Sequence, residues 1–256
     1  MGSLDPPQAW QPDSNAALDR FHTMRREAAV ARRHRLWALG AAVAACVAVG
    51  AFLPGVLPSA KQNGAPVLAA SFRVAGSASA PIVAEIYSDY QCVPCARLMQ
   101  ETMPRLVTDY VETGKVRLLH RDLPLPQHPY AREAARYANA AGRIGRYGAA
   151  ADVLFRSQRE WAADGNIESR LSRGLPSADM GRLREALQHR EEIEAAIDAD
   201  IEMAQRDDVR VTPTMVVVAN GKRRTVAPVP PYAVLKTYLD EELKINCREN
   251  PGAAKC

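Results

Sequence analysis

Two cysteines stand three residues apart in SDYQCVPC, residues 88–95, directly after the run PIVAEIYS. That run is short and β-branched, which is typical of a strand. The stretch that follows, ARLMQETMPRLVTDYVETG, carries apolar residues at helical spacing. The pattern therefore places Cys92 at a strand-to-helix junction. Cys95 lies one turn further along the same helix face, so the two sulfur atoms can meet.

Cysteines in this arrangement are suited to redox chemistry. A thiolate is the nucleophile, and the free N–H groups at a helix N-terminus favour it. Cys92 is expected to attack a substrate disulfide and Cys95 to resolve the mixed disulfide, or the pair runs in reverse. Pro94 falls in the first turn, where its missing N–H costs the helix nothing.

Three other interpretations of the cysteine pair stay open at this point: a zinc site, a structural disulfide and an inactive relic of a redox site. A zinc site needs four ligands, which Cys247 and Cys256 could complete, although the spacing of that second pair fits no common zinc motif. No metal is expected. A purely structural disulfide across three residues would close a very small loop and constrain little of the unfolded chain.

The pattern of the chain from residue 67 onward predicts an α/β fold. VLAASFRV is predicted as a first strand and Val116 to about Asp122 as another, while Pro104 should kink the first helix and Gly114 should end it. A helical region follows over about residues 131–206. Asn220-Gly221 predicts a hairpin turn between two final strands. The last helix opens after Pro230 and Pro231, with an apolar face of Val234, Leu235, Tyr238, Leu239 and Leu243.

This order of elements, with a CxxC motif at the first strand-to-helix junction, predicts a thioredoxin fold with an inserted helical subdomain at about residues 128–207. The thioredoxin-like domain is expected to span residues 67–245. We expect one N-terminal transmembrane helix before it and a C-terminal tail, residues 246–256, after it.

The membrane helix is predicted from residues 36–57, LWALGAAVAACVAVGAFLPGVL, which hold no charge. About 20 apolar residues suffice to cross a bilayer. Five arginines in residues 25–35 precede the span, so the positive-inside rule places residues 1–35 in the cytoplasm as a disordered tail. Residues 58–66 form a linker, and the domain lies outside. A cleaved signal peptide and a lipidated Cys46 are the rival readings.

Composition and charge narrow the function. The net charge is +4, and the arginines are scattered rather than arranged in a basic stripe with aromatic residues, so nucleic-acid binding is not expected. Five cysteines are too few for a disulfide scaffold in 256 residues.

Four spaced segments carry a family resemblance: SDYQCVPC, TGKVRLLHRDLPL, HPYAREAARYANAAG and VRVTPTMVV. Together they resemble the DsbA-like thiol–disulfide oxidoreductases of the membrane-anchored bacterial type, over roughly residues 72–243. The resemblance implies that Cys92 is the nucleophile and Cys95 the resolving cysteine. It also implies that Thr212-Pro213 is the cis-proline loop beside them, whose backbone pairs with an extended substrate.

The resemblance further implies partners and a location. The substrates would be thiols or disulfides of exported proteins. A quinone-linked membrane oxidoreductase of the DsbB or vitamin-K-epoxide-reductase type would reoxidise the cysteines. The chain would be a monomer without a cofactor, anchored in the bacterial plasma membrane with its catalytic domain in the periplasm or its equivalent.

The direction of electron flow depends on the residues between the cysteines. The strongest oxidants of the family carry Pro-His there, whereas this chain carries Val93-Pro94, which supplies no cation and removes one N–H donor. The position outside the membrane still favours oxidation of protein thiols. Reductase or isomerase activity is the alternative, and a non-catalytic binding or chaperone domain is the alternative of another class.

A second departure concerns proton transfer. Relatives often carry an acidic residue six places before the first cysteine, where this chain has Ile86. Glu85 is one residue too early, and strand alternation sends it to the opposite face unless a bulge restores it. Asp89 is expected to cap the helix.

The remaining cysteine pair lies in INCRENPGAAKC. An oxidising compartment favours a Cys247–Cys256 disulfide that folds back the tail. A second redox pair that relays electrons is the alternative.

Overall fold

The computed structural model describes residues 71–249. The predicted tail, anchor and linker, residues 1–66, and the end of the predicted C-terminal tail lie outside this range. Within residues 71–249 no helix is both long and apolar enough to cross a membrane.

A five-stranded mixed sheet forms the centre of the domain. Its strands are β1 (Val74–Ala75), β2 (Ile82–Ser88), β3 (Val116–Asp122), β4 (Thr214–Ala219) and β5 (Lys222–Val226), in the order β1-β3-β2-β4-β5. β2 pairs parallel with β3 and antiparallel with β4. Only one residue of β2, Val83, is not fully buried, which is expected for a β-branched strand covered on both faces.

The first predicted strand, residues 67–74, lies partly outside the described range, and its described part is largely wrong. Ser71–Arg73 form a 3₁₀ turn, and only Val74 and Ala75 pair with β3. Gly76 follows with a φ of +92°, and a side chain there would meet the Val116 carbonyl oxygen. The backbone therefore leaves the sheet edge after two residues.

The helices are α1 (Val93–Arg97), α2 (Met103–Leu106), α3 (Ala131–Arg143), α4 (Tyr147–Arg156), α5 (Gln158–Asp164), α6 (Ile167–Gly174), α7 (Ser177–Ala186), α8 (Arg190–Arg206) and α9 (Tyr232–Glu249). Helices α3 to α8 make up the inserted helical subdomain that the sequence predicts between β3 and β4. Fully buried alanines in α3 let the neighbouring helices approach closely, and Trp161 fills the centre and donates its Nε1–H to the Leu154 carbonyl at 2.7 Å.

The helix after the cysteines is not broken at Pro104. A π-helical turn, Leu98–Thr102, joins α1 to α2, and a second one, Val107–Val111, follows α2. Pro104 lies in the first turn of α2, where it need not donate a hydrogen bond. Pro104 has no backbone N–H to donate, and the helical path continues through it by way of the two π-helical turns. Gly114, with a φ of +72°, follows its end.

The predicted hairpin is confirmed. Asn220 and Gly221 both have positive φ angles, 52° and 66°, and connect Ala219 to its pairing partner Lys222. The apolar face predicted for α9 is partly wrong, because Val234 is 58% exposed. Leu235 and Leu239 are buried and pack on the sheet.

Buried ion pairs join the helical subdomain to the sheet. Arg121 on β3 donates from Nε to Glu85 on β2 at 2.9 Å and from Nη1 to Asp200 on α8 at 3.0 Å. Arg73 donates to Asp122 at 2.9 Å and also pairs with Asp200. Because these charged side chains are buried away from water, the stability of each depends on its ion-pair partners.

Replacing Arg121 with Met should lower the free energy of unfolding by about 3–5 kcal/mol, because it leaves Glu85 and Asp200 buried without their common partner. Urea unfolding of the reduced protein measures this. The control is Arg156→Met, which removes an exposed pair with Asp152 and should cost about 0–1 kcal/mol. Equal costs for the two variants would contradict the structural role of the buried pairs.

Candidate active site

The end of β2 and the start of α1 bring the two cysteines together. β2 ends at Ser88, a turn over residues 89–92 follows, and Cys92 is the residue before the first helical residue, Val93. The turn is closed by a hydrogen bond from Cys92 N to the Asp89 carbonyl at 3.1 Å. The placement is that expected for a nucleophile at a helix start.

The two thiols have different surroundings. Cys95 is completely buried, whereas Cys92 keeps 5% of its surface exposed, and both are free. The Cys92 thiol donates to the Thr212 carbonyl at 3.3 Å. The Thr212–Pro213 peptide bond is cis. The structure therefore places the predicted loop directly against the predicted nucleophile.

The proton affinities of the two thiols diverge. A hydrogen bond from the Cys95 thiol, with smaller contributions from the Thr212 side chain and the Cys95 backbone, lowers the pKa of Cys92 to about 6, although burial and the Asp89 charge raise it. Burial raises the pKa of the Cys95 thiol well above its ordinary value, and its interaction with Cys92 adds to that. One sulfur is therefore a thiolate at neutral pH and the other keeps its proton.

Glu85 lies on the face of β2 that points away from the cysteines. β2 pairs residue by residue with both neighbours, so no bulge brings Glu85 round. Its carboxylate binds Arg121 and, at 2.8 Å, Arg223. Ile86 is buried in the apolar cluster on the α1 side of the sheet. Ile86 occupies the position where relatives often carry an acidic residue, so this position is apolar here.

Ser88 is a residue near Cys95 that sequence reasoning missed. It follows Ile86 by two positions, so it lies on the same strand face, and its hydroxyl opposes the rise in the Cys95 pKa. Strand alternation from Ile86 could have pointed to it.

The expected helix cap at Asp89 is wrong. Cys92 occupies the cap position and no side chain caps the helix there. The Asp89 carboxylate instead accepts from Gln91 N within the turn, and from Leu125 N and His128 Nδ1 across it, each at 2.7 Å. Asp89 therefore ties the cysteine turn to the segment that enters the helical subdomain.

The helical subdomain holds the cysteine turn at further points. Gln158, the first residue of α5, donates to the carbonyl oxygens of Tyr90 at 2.6 Å and Cys92 at 3.0 Å. Tyr130 N donates to the Gln91 side chain at 2.8 Å. No local sequence signal identifies Gln158, because it lies 66 residues from Cys92.

A groove of about 450 Å³ runs beside the cysteines. Pro94 and Pro213 stand at its active-site end, and Pro230, Pro231 and Tyr232 line its other side. Val93 and Val211, which are 49% and 56% exposed, flank Cys92 and the Thr212–Pro213 bond in sequence. The surface around the cysteines is therefore accessible and partly apolar, and Arg97, Glu101 and Arg105 add charge to the groove.

The other predicted groups lie partly outside the described range. Among residues 71–249 no set of three or more His, Cys, Asp or Glu side chains could hold a metal ion. Cys247 is disulfide-bonded, and its partner is not among the described residues. Cys256 lies beyond residue 249, so the Cys247–Cys256 disulfide stays a prediction.

Comparisons with known proteins agree with this geometry. A family model described as thioredoxin matches residues 70–240. The "probable disulfide bond formation protein D" of Bacillus anthracis is 25% identical over 234 residues, 82% of this chain and 98% of that protein. The crystal structure of Wolbachia pipientis α-DsbA1 aligns with a TM-score of 0.59 at 16% identity, covering 69% of this chain and 93% of that one. Oxidised BdbD from Bacillus subtilis aligns with a TM-score of 0.55 at 21% identity, covering 67% and 92%.

The thiolate of the reduced protein should titrate with a midpoint near pH 6, followed by its absorbance at 240 nm. Because the pKa of Cys92 is lowered on folding, the thiolate stabilises the reduced fold above the ordinary cysteine pKa, and this stabilisation is lost as the pH falls through about 6. Urea unfolding of the reduced protein at several pH values should show that loss.

The matched variants for this prediction are Cys95→Ala and Cys95→Ser. The alanine variant lacks the donor to Cys92, so the Cys92 midpoint should move up towards the ordinary value of about 8.5. The serine variant keeps a donor and should stay closer to wild type. The same midpoint in wild type and the alanine variant would show that Cys95 does not lower the Cys92 pKa.

Proposed function

The chain belongs to the thioredoxin family and is a DsbA-like thiol–disulfide oxidoreductase, and on this premise we propose that its Cys92–Cys95 couple forms disulfide bonds in exported proteins. The carrying observation is the unequal pair of thiols: a low-pKa Cys92 at a helix start, on a completely buried Cys95. A thiol of low pKa is a good leaving group, and this favours release of the oxidised product from Cys92.

The proposed reaction begins with the Cys92–Cys95 disulfide. A substrate thiolate attacks Cys92 Sγ, a substrate–Cys92 disulfide forms, and the sulfur of Cys95 leaves and takes up a proton. A second substrate thiolate then attacks the substrate sulfur of the mixed disulfide and expels the Cys92 thiolate. The substrate loses two electrons to the cysteine couple, which ends as the free pair seen in the structure.

The surroundings of Cys92 support docking of an extended polypeptide. In this proposal the backbone of Thr212 and Pro213 pairs with the substrate segment, beside the Cys92 sulfur that it must reach. The apolar side chains of Val93 and Val211 contact the flanking substrate residues, and the groove between Pro94 and Pro213 accepts the chain beyond them.

A membrane tether and an oxidising partner complete the proposal. Residues 36–57 would anchor a monomer in the bacterial plasma membrane, with residues 1–35 in the cytoplasm, a linker over 58–66 and the domain of residues 67–245 in the periplasm or its equivalent. A quinone-linked membrane protein of the DsbB or vitamin-K-epoxide-reductase type would take two electrons from the dithiol and restore the disulfide. The tether would raise the effective concentration of the two proteins.

One observation favours reduction or isomerisation as the second candidate. Pro94 lies in the first turn of α1 and supplies no N–H near Cys92, and Val93 carries no charge. The reduced state then lacks two stabilising contributions, which lowers the oxidising power of the couple. The low pKa of Cys92 acts in the opposite sense, so the potential decides between the two directions.

The reduction potential of the full-length chain in glutathione buffers tests the direction. A value above about −180 mV is expected and marks a net oxidant. A value below about −230 mV would overturn the proposal in favour of a tethered reductase.

Catalysis should depend on both cysteines in different ways. Cys92→Ser should abolish oxidation of a reduced test protein, because the attacked sulfur is gone. Cys95→Ser cannot form the Cys92–Cys95 disulfide and should also fail to oxidise that protein. When given a disulfide-bonded test protein, its Cys92 thiolate should attack that disulfide and accumulate the mixed disulfide, visible on non-reducing gels, because Cys95 is no longer there to resolve it. Arg156→Met, which removes only an exposed pair with Asp152, is the folded control and should keep both steps. Activity that survives both cysteine substitutions would favour a non-catalytic binding or chaperone domain.

A further inference from the structure

A buried carboxylate lies within the turn that presents the nucleophile. Asp89 is 1% exposed and stands three residues before Cys92, whose backbone N–H it binds through its carbonyl oxygen. The carboxylate oxygens accept from Gln91 N, Leu125 N and His128 Nδ1. Four polar contacts therefore hold this one residue, one of them with the backbone of Cys92 itself.

The partners of this carboxylate compensate its charge only in part. Two of its donors are neutral backbone N–H groups. Among residues 71–249 the one side chain that hydrogen-bonds it is His128, whose own side chain is 24% exposed. Because these donors compensate the buried negative charge only in part, the carboxylate still exerts a strong electrostatic field on the groups close to it.

The group most affected is the Cys92 sulfur. A neighbouring anion disfavours the charged form of an acid, so the Asp89 carboxylate opposes formation of the Cys92 thiolate. The reduced state of the couple contains that thiolate, whereas the disulfide carries no charge. An anion beside the sulfur therefore destabilises the reduced state relative to the oxidised one and makes the couple less oxidising.

We propose that Asp89 is a positioning residue that moderates the oxidising power of the Cys92–Cys95 couple, and that His128 limits its effect by binding the carboxylate. This inference rests on the proposed redox function of the pair. The contacts with Cys95 and Thr212, which favour the Cys92 thiolate, are opposed by Asp89 from the preceding turn. The potential of the couple is then set by the balance of these contacts and not by residues 93 and 94 alone.

The proposal predicts that substitutions of Asp89 and of His128, the two partners of one hydrogen bond, shift the reduction potential of the couple in opposite directions. Asp89→Asn removes the charge at nearly constant shape and should favour the reduced state about tenfold in equilibrium with glutathione, which is about 30 mV upward. His128→Leu removes the side-chain donor, leaves the carboxylate less compensated, and should disfavour the reduced state about threefold. The thiolate midpoint of Cys92 should move down in the first variant and up in the second.

Gln91→Leu is the matched control. Gln91 lies in the same turn as Asp89, and the substitution breaks its side-chain contact with Tyr130 N without changing a charge. It should lower stability but leave the potential within about twofold of wild type in equilibrium constant. Urea unfolding establishes that each variant is folded. If Asp89→Asn does not fold, His128→Leu alone decides, and an unchanged or higher potential in it overturns the proposal.

Shifts of the same sign in Asp89→Asn and His128→Leu, or no shift in either, would overturn the proposal and leave both residues with a structural role only. The potential of the wild-type chain does not enter this outcome. A wild-type value in the reductase range would overturn the proposed oxidase function and leave the predicted differences between variants intact.

Discussion

The difference between two sulfur atoms three residues apart underlies the chemistry of this protein. Cys95 is completely buried and keeps its proton, and the hydrogen bond between the thiols lets Cys92 lose its own. This difference exists because β2 is buried between two strands and delivers its last residues beneath the helix that starts after Cys92. A solvated Cys95 would titrate like an ordinary thiol, and the couple would lose its division into attacking and resolving partners.

The inserted helices supply the rigidity that this arrangement needs. They contact the cysteine turn through Gln158, Tyr130 N and His128, and they are joined to the sheet by the buried charges around Arg121 and Asp200. A helical subdomain that only covered the substrate would not require these contacts. Its position against the turn means that the environment of Cys92 is determined jointly by the thioredoxin core and the insertion.

Much of the fold follows from local patterns. The strand before the cysteines, β3, the helical insertion and the Asn220-Gly221 hairpin were all predictable, because period, β-branching and turn chemistry are local properties. Other features do not follow from local patterns. π-helical turns precede and follow the short helix that contains Pro104, which no residue pattern announces, and Val234 is exposed on α9 although its spacing predicts an apolar face. Asp89 has the residue type of a cap, yet its carboxylate meets donors nearly 40 residues away.

The sequence alone determined the pair of cysteines, their position at a strand-to-helix junction and the fold class, because these depend on spacing and hydrophobic pattern within short stretches. It also predicted that Glu85 lies on the face away from the cysteines, and the unbroken pairing of β2 in the structure then excluded the bulge that could have restored it. Only the tertiary structure decided what surrounds the sulfur atoms. That environment is built by residues from distant segments: Thr212, Gln158, Ser88, Asp89 and His128. Each of them contributes to the burial and the charge around the cysteine pair, so no single segment sets the pKa of Cys92.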